Sequence, residues 1–173
     1  TNIRVLACYY LGARYVTTSK VPVKVPADLN GLKLRVPDQP ISIANIAAMG
    51  AKPTPMAFGE VDMGLQQGVV DGQENPLSQI MSAQFYEVQK YLSTTNHVTQ
   101  MVMLIINEDV YQSLDNDMKK LLTETANKYA KEANDENIAF EKSAIDEIKD
   151  KGVTIVDADR DAFRTATYPV IQQ

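Results

Sequence analysis

Two α/β lobes bridged by one long helix are what this sequence predicts, and three observations carry that prediction. Between Val16 and Asn96 short β-branched and apolar runs alternate with short helical patterns, the signature of strands and helices packed in layers. From about Asp117 to Asp150 apolar residues recur every three or four positions with no proline or glycine, which reads as a helix too long for one small lobe. Two segments, Leu29 to Pro37 and Leu65 to Pro76, each read as an apolar strand that stops at a polar residue suited to an anion. Those residues are Arg35 and Asn75, and they are expected to face one cleft.

The 173 residues suffice for one full domain or two small lobes, with a core that needs no disulfide or metal. A net charge of -5, a pI near 4.9 and no run of Lys or Arg argue against nucleic acid and anionic membrane surfaces as partners. An anionic ligand would have to be drawn by a few placed cations. No apolar run approaches the ~20 residues that span a bilayer, so the chain is not expected to be membrane-embedded. Thr1 leads directly into strand-like residues without an initiator Met or a leader, as in a mature or truncated product. Cys8, the one cysteine, allows no internal disulfide and is expected to be a small buried hydrophobe among Val5, Leu6, Ala7 and Tyr9.

In order, Ile3 to Tyr10 reads as a strand, Leu11-Gly12-Ala13 as a turn and Arg14 to Thr18 as a second strand. Val21 to Pro26 is extended, because its prolines fix φ and bias the residues before them toward the β region. In the strand Leu32 to Val36, Leu32, Leu34 and Val36 alternate with Lys33 and Arg35. Pro37 ends it and leaves Arg35 at the carboxyl end, where open α/β sheets bind ligands. A helix from Ile41 to Met49 stops at Gly50, Pro53 to Met56 is extended, and a helix from Glu60 to Gln67 stops at Gly68. Val69-Val70 is a very short strand before a polar loop, Asp71 to Asn75. Asn75-Pro76 then supplies the N-cap and first-turn proline of a helix reaching about Gln89.

Tyr91 to Thr95 and Val98 to Asn107 read as strands, the second apolar on both faces and therefore expected to be central and buried. The long helix carries Met118, Leu121, Leu122, Tyr129, Phe140, Ala144 and Ile148 along one stripe, and Glu124 precedes Lys128 in the favourable i, i+4 order. At 1.5 Å per residue it is roughly 50 Å long and should cross more than one unit. Val153 to Val156 is a last strand and Asp159 to Gln172 a terminal helix. Residues 16–96 are expected to form one lobe, and 1–15 with 97–173 part of the other lobe, the connections and the long helix.

The catalytic inventory is thin: the sequence holds no zinc-protease, nucleophile-elbow, phosphate-loop or dinucleotide motif. His97 is the one histidine, so a metal site is not expected, and a structural or supporting role fits it better. Asp71 and Glu74 are conceivable as an acid/base pair, but a solvated loop accounts for both. The binding inventory is richer, because an arginine fork matches a carboxylate bidentately. Arg35 is the first candidate, against the alternative of a surface arginine on an edge strand. Asn75 serves as a helix cap, as a ligand contact or as both. Arg14 is weaker by itself, and Phe58 reads as core.

Four motifs then converge. Leu29 to Pro37 (Leu-Asn-Gly-Leu-Lys-Leu-Arg-Val-Pro), Gly50 to Val61, Leu65 to Pro76 and Phe85 to Leu92 together resemble the extracytoplasmic solute-binding subunit of TRAP transporters, the DctP-type family. The resemblance spans nearly the whole chain. It implies a type II-like, periplasmic binding-protein fold with a long helix under both lobes. It further implies a non-enzymatic periplasmic receptor that needs no cofactor and hands a small organic acid to TRAP permease membrane subunits. The family's carboxylate-gripping arginine falls on Arg35 and its asparagine on Asn75. A second ligand-facing arginine falls on Arg14, a cavity aromatic on Phe58, and supporting polar residues behind the cavity on His97 and Glu74.

The N-terminal half of the family's first lobe is missing from this sequence and its C-terminal tail stops short at Gln173, so the first lobe is expected to be incomplete. Asp38, where sialate-binding relatives tend to carry an amide, would repel a second anionic group and accept hydroxyls. The ligand expected is therefore a carboxylated sugar such as a hexuronate, an aldonate or a sialate, with a C4-dicarboxylate as the alternative. A periplasmic enzyme using Glu74 or His97, and a fragment without a complete site, are the readings from other classes.

Overall fold

The computed structural model describes residues 2–172. Thr1 and Gln173, where the sequence suggests a truncated start and end, lie outside the described residues. Among the described residues seven strands form one sheet: β1 (Ile3–Thr18), β2 (Lys33–Val36), β3 (Lys52–Pro55), β4 (Gly72–Pro76), β5 (Tyr91–Ser93), β6 (Thr99–Asn107) and β7 (Thr154–Val156). Their order is β3-β2-β4-β1-β5-β7, with β6 paired to β1. β1 runs antiparallel to β4, β5 and β6, whereas β2 is parallel to β3 and β4, and β5 to β7. The helices are α1 (Pro40–Ala48), α2 (Val61–Gln66), α3 (Leu77–Ser82), α4 (Glu108–Ser113), α5 (Asn116–Asp150) and α6 (Arg160–Thr167).

The two-residue period of β1 explains why helices cover both faces. Ala13 and Tyr15 enter a core with Val61 and Leu65 of α2, Leu77 and Ile80 of α3, and Ala144 and Ile148 of α5. Val16 enters the opposite core with Leu34 and Val36 of β2, Ile46 of α1 and Phe163 of α6. β4 lies between β1 and β2, and Gly72 is what lets it fit. A Cβ there would stand 2.2 Å from the Thr17 carbonyl oxygen and 2.9 Å from a Leu34 methyl.

The turn expected at Leu11-Gly12-Ala13 is instead a bulge inside one continuous 16-residue strand, with the register to β6 slipping between Tyr10 and Gly12. Gly12 has φ +144°, and a Cβ on it would meet Glu141 and Pro76 at 3.0 Å. α5 holds the bulge. Asn134 accepts from the Tyr10 amide at 2.6 Å, Asn137 donates to the Tyr10 carbonyl at 2.7 Å, and Glu141 accepts from the Ala13 amide at 2.8 Å and the Tyr10 hydroxyl at 2.7 Å. The expected long helix is present, 35 residues from Asn116 to Asp150, started by Asp115 capping the Met118 amide.

Other expectations are corrected. Asp71 to Asn75 is not a solvated loop: Gly72–Pro76 is the buried central strand β4, because its polar side chains find partners in each other and in β1. Val69-Val70 forms a bend, not a strand. Asn75 does not cap α3. The residue before that helix is Pro76, and the helix ends at Ser82 because Gln84 takes a left-handed φ of 55°. β6 is not buried on both faces: among the described residues its only strand partner is β1, and Met101, Met103, Leu104 and Ile105 are all about half exposed or more. Cys8, paired in register with Met103, is exposed for the same reason. The terminal helix stops at Thr167 and continues as a 3-10 turn, Tyr168–Gln172.

Candidate functional site

β1, β2 and β4 bring their polar ends to one cavity of about 500 Å³, roofed by α1 and the segment leading into β6. Arg14, Arg35, Phe58, Glu74, Asn75 and His97, all singled out from sequence, line it together. Asp38 is exposed and is not on its wall. Arg14 and Glu74 meet because Arg14 pairs with Pro76 and Val16 with Glu74, placing both side chains on the same side of the sheet.

Arg14 is almost fully committed within the protein. Its Nε and Nη2 donate to the two carboxylate oxygens of Glu74, Nη2 also reaches the Glu74 carbonyl at 2.7 Å and Asn75 Oδ1 at 3.0 Å, and Nη1 donates to Gln100. His97 completes the cluster with one ring nitrogen 3.2 Å from Glu74 and the other 2.8 Å from the Thr95 hydroxyl. Burial pushes the Glu74 carboxyl up, but the hydrogen bonds of His97 and Arg14 and the charge of Arg14 outweigh it. The net effect holds Glu74 below its ordinary value, and so ionised. Asn75 continues the network: its Nδ2 donates to Gln73 Oε1 at 2.6 Å, and Gln73 donates to the Thr17 hydroxyl at 2.8 Å. That orientation leaves the second Nδ2 hydrogen of Asn75 for a ligand.

Arg35 is the opposite case. It is 3% exposed, and its Nε and Nη2 share one acceptor, the Met56 carbonyl, at 2.9 and 2.8 Å. The Nη1–Nη2 edge of its fork has no protein partner among the described residues. Burial lowers its proton affinity, Arg14 adds to this and Glu74 opposes it, but a guanidinium stays charged. The Phe58 ring lies 5.8 Å from the guanidinium carbon and packs edge-on against buried Phe85 at 5.8 Å. Phe58 is thus not core: at 45% exposed it offers an apolar face to the cavity.

Sequence reading missed five contributors. Gln39, just before α1, and Ser42 and Asn45 on it, spaced three apart, put two amides and a hydroxyl on the cavity wall, a polar stripe that was visible in the sequence directly after Arg35. Gln100 and the Met56 carbonyl left no such signal, one because β6 looked buried and the other because it is backbone. Among the described residues no cluster of His, Cys, Asp and Glu could hold a metal ion, and no helix is long and apolar enough to cross a membrane.

Comparison with known proteins identifies the family. The family model for bacterial extracellular solute-binding protein, family 7 (DctP), matches residues 1–173. The chain is 40% identical over 173 residues to solute-binding protein RD1_1052 of Roseobacter denitrificans, covering 98% of this chain and 52% of that protein. It is 38% identical over 166 residues to the 2,3-diketo-L-gulonate-binding periplasmic protein YiaO of Escherichia coli, covering 95% and 51%. The crystal structure of RD1_1052 with bound L-galactonate superposes with a TM-score of 0.87 at 38% identity, over 98% of this chain and 56% of that one. A second TRAP periplasmic solute-binding protein of R. denitrificans, bound to 3-deoxy-D-manno-oct-2-ulosonic acid, gives 0.94 at 32% identity, over 99% and 58%. The chain therefore spans about half the length of the curated relatives it matches. Those relatives are solute-binding proteins of the periplasm, and this chain belongs to their family, the DctP-type solute-binding proteins of TRAP transporters.

Proposed function

We propose that this chain carries the carboxylate-gripping part of a periplasmic receptor for a sugar acid, which it delivers to a TRAP permease. The observation that carries the reading is Arg35: a buried guanidinium on the cavity wall whose Nη1–Nη2 edge has no partner among the described residues. A buried charge without a partner is costly, and a carboxylate on that edge removes the cost with two charge-assisted hydrogen bonds. Asn75 offers an N–H beside it, Phe58 an apolar face for carbon-bound hydrogens, and the amides and hydroxyl of α1 partners for sugar hydroxyls. The galactonate and octulosonate held by the two related structures fit that description. Asp38 is assigned no contact. Residues 16–96 are read as one lobe, and 1–15 with 97–173 as part of the other and its connections, so that a ligand held between lobes favours their closure.

Thermal unfolding against galactonate, glucuronate and short dicarboxylates tests this reading. A ligand at 100 times its dissociation constant adds about 2.7 kcal/mol of stability, so a sugar acid should raise the midpoint clearly. A panel in which no sugar acid moves the midpoint contradicts it.

A further inference from the structure

Gln100 reaches the cavity wall from β6, where it pairs in register with Gly12, two residues before Arg14 on β1. Its side-chain oxygen accepts from Arg14 Nη1, while Nη2 of the same guanidinium donates to Asn75 Oδ1 at 3.0 Å. An amide beside a hydroxyl or a water can turn over, exchanging oxygen for nitrogen, because such partners both donate and accept. Arginine only donates, so it permits one orientation: the oxygen of each amide faces Arg14 and each NH2 group is turned away from it. Both amides belong to the cavity wall, so what they offer beyond Arg14 is N–H. Arg14 is itself held by the Glu74 carboxylate through Nε and Nη2. These bonds are made among the described residues and stand whatever else completes the wall.

We propose, resting on the sugar-acid reading, that Gln100 contacts the ligand by donating from its amide to a ligand oxygen, and that Arg14 is the positioning residue that turns the amide that way. The group opposite Gln100 is then an acceptor: a carboxylate, carbonyl or hydroxyl oxygen. An ammonium group there would set hydrogen against hydrogen. A sugar acid carries acceptor oxygens along its whole carbon chain, and an N–H already turned toward them binds without the cost of ordering a free side chain.

Calorimetric titration of galactonate and glucuronate into the unaltered protein and into Gln100→Met tests the contact. Methionine keeps the length of the side chain but removes the amide, and affinity for the acid that binds should fall roughly tenfold or more. Were Gln100 there only to occupy Arg14, its removal would release an arginine N–H toward the ligand, and affinity would hold or rise. That result overturns the inference and leaves the sugar-acid receptor standing. Binding of neither acid by the unaltered protein overturns the sugar-acid reading and this inference with it. Nuclear magnetic resonance gives a second reading: the side-chain NH2 signals of Gln100, identified by their loss in Gln100→Met, should move on addition of the acid that binds. Signals that stay in place at saturation overturn the contact. Arg14→Lys keeps a cation beside Glu74 but cannot hold two amides as the fork does. In that background, in a protein that still melts cooperatively, Gln100→Met should cost less than about threefold in affinity. A cost as large as in the unaltered protein overturns the role given to Arg14.

Discussion

Strands β4 and β6 both pair with β1, yet their surroundings are reversed. β4 carries Gln73, Glu74 and Asn75 and is buried along its whole length between β1 and β2. β6 carries Met101, Met103, Leu104 and Ile105 and leaves them largely exposed. The polar strand tolerates burial because each side chain has a partner: Gln73 on Thr17, Asn75 on Gln73, and Glu74 on Arg14 and His97. The apolar strand stays exposed because β1 is its only strand partner among the described residues. Composition thus reports what a strand could pack against, and neighbours decide whether it does.

Breaking the pairing inside β4's network should give the largest effect. Arg14→Met leaves Glu74 buried beside only His97, and should cost about 3–5 kcal/mol, read from urea unfolding. Gly72→Ala should cost about 3 kcal/mol, since its Cβ would stand 2.2 Å from a backbone oxygen that has no room to retreat. On β6, Met103→Ser should change stability by no more than about 0.5 kcal/mol and should reduce binding of a hydrophobic dye. A loss at Met103 matching that at Gly72 would mean that β6 is covered in solution.

Acid sharpens the same contrast. Glu74 is held below its ordinary value of 4.5, so its contribution is fully present above that pH and is lost as pH falls through the folded value. Glu108, beside β6, is also lowered, to about 2, chiefly by the hydrogen bond from Arg4, but it is only partly buried, its side chain 30% exposed. Glu74→Gln should therefore flatten the acid limb of the stability curve visibly, and Glu108→Gln should hardly alter it. A reversed order would place the dominant acid-sensitive pair on the exposed side.

Much of the architecture was legible because it rests on local rules. α5 was readable from its period and lack of proline and glycine, β2 from the alternation of Leu34 and Val36 with Arg35, and the stops of α1 and α2 from Gly50 and Gly68, both at positive φ. What was not legible depends on distant partners. Gly12 looked like a turn because Asn134, Asn137 and Glu141, which hold the bulge, lie more than a hundred residues away. Asp71 to Asn75 looked like a loop because polarity outweighed pattern where tertiary pairing decides. In the site, Arg35 stood out at the end of its strand, but that Arg14 is occupied and Arg35 is free became visible only from their hydrogen bonds.

That asymmetry is tested most directly by titrating galactonate into the unaltered protein and into Arg35→Ala and Arg35→Lys. Among the described residues Arg35 donates only to the Met56 carbonyl, so the variants should remain folded while affinity falls. Alanine should lose about 100-fold or more, and lysine, which keeps the charge but not the fork, should lose less. Unchanged affinity in a folded Arg35→Ala protein would contradict Arg35 as the carboxylate anchor.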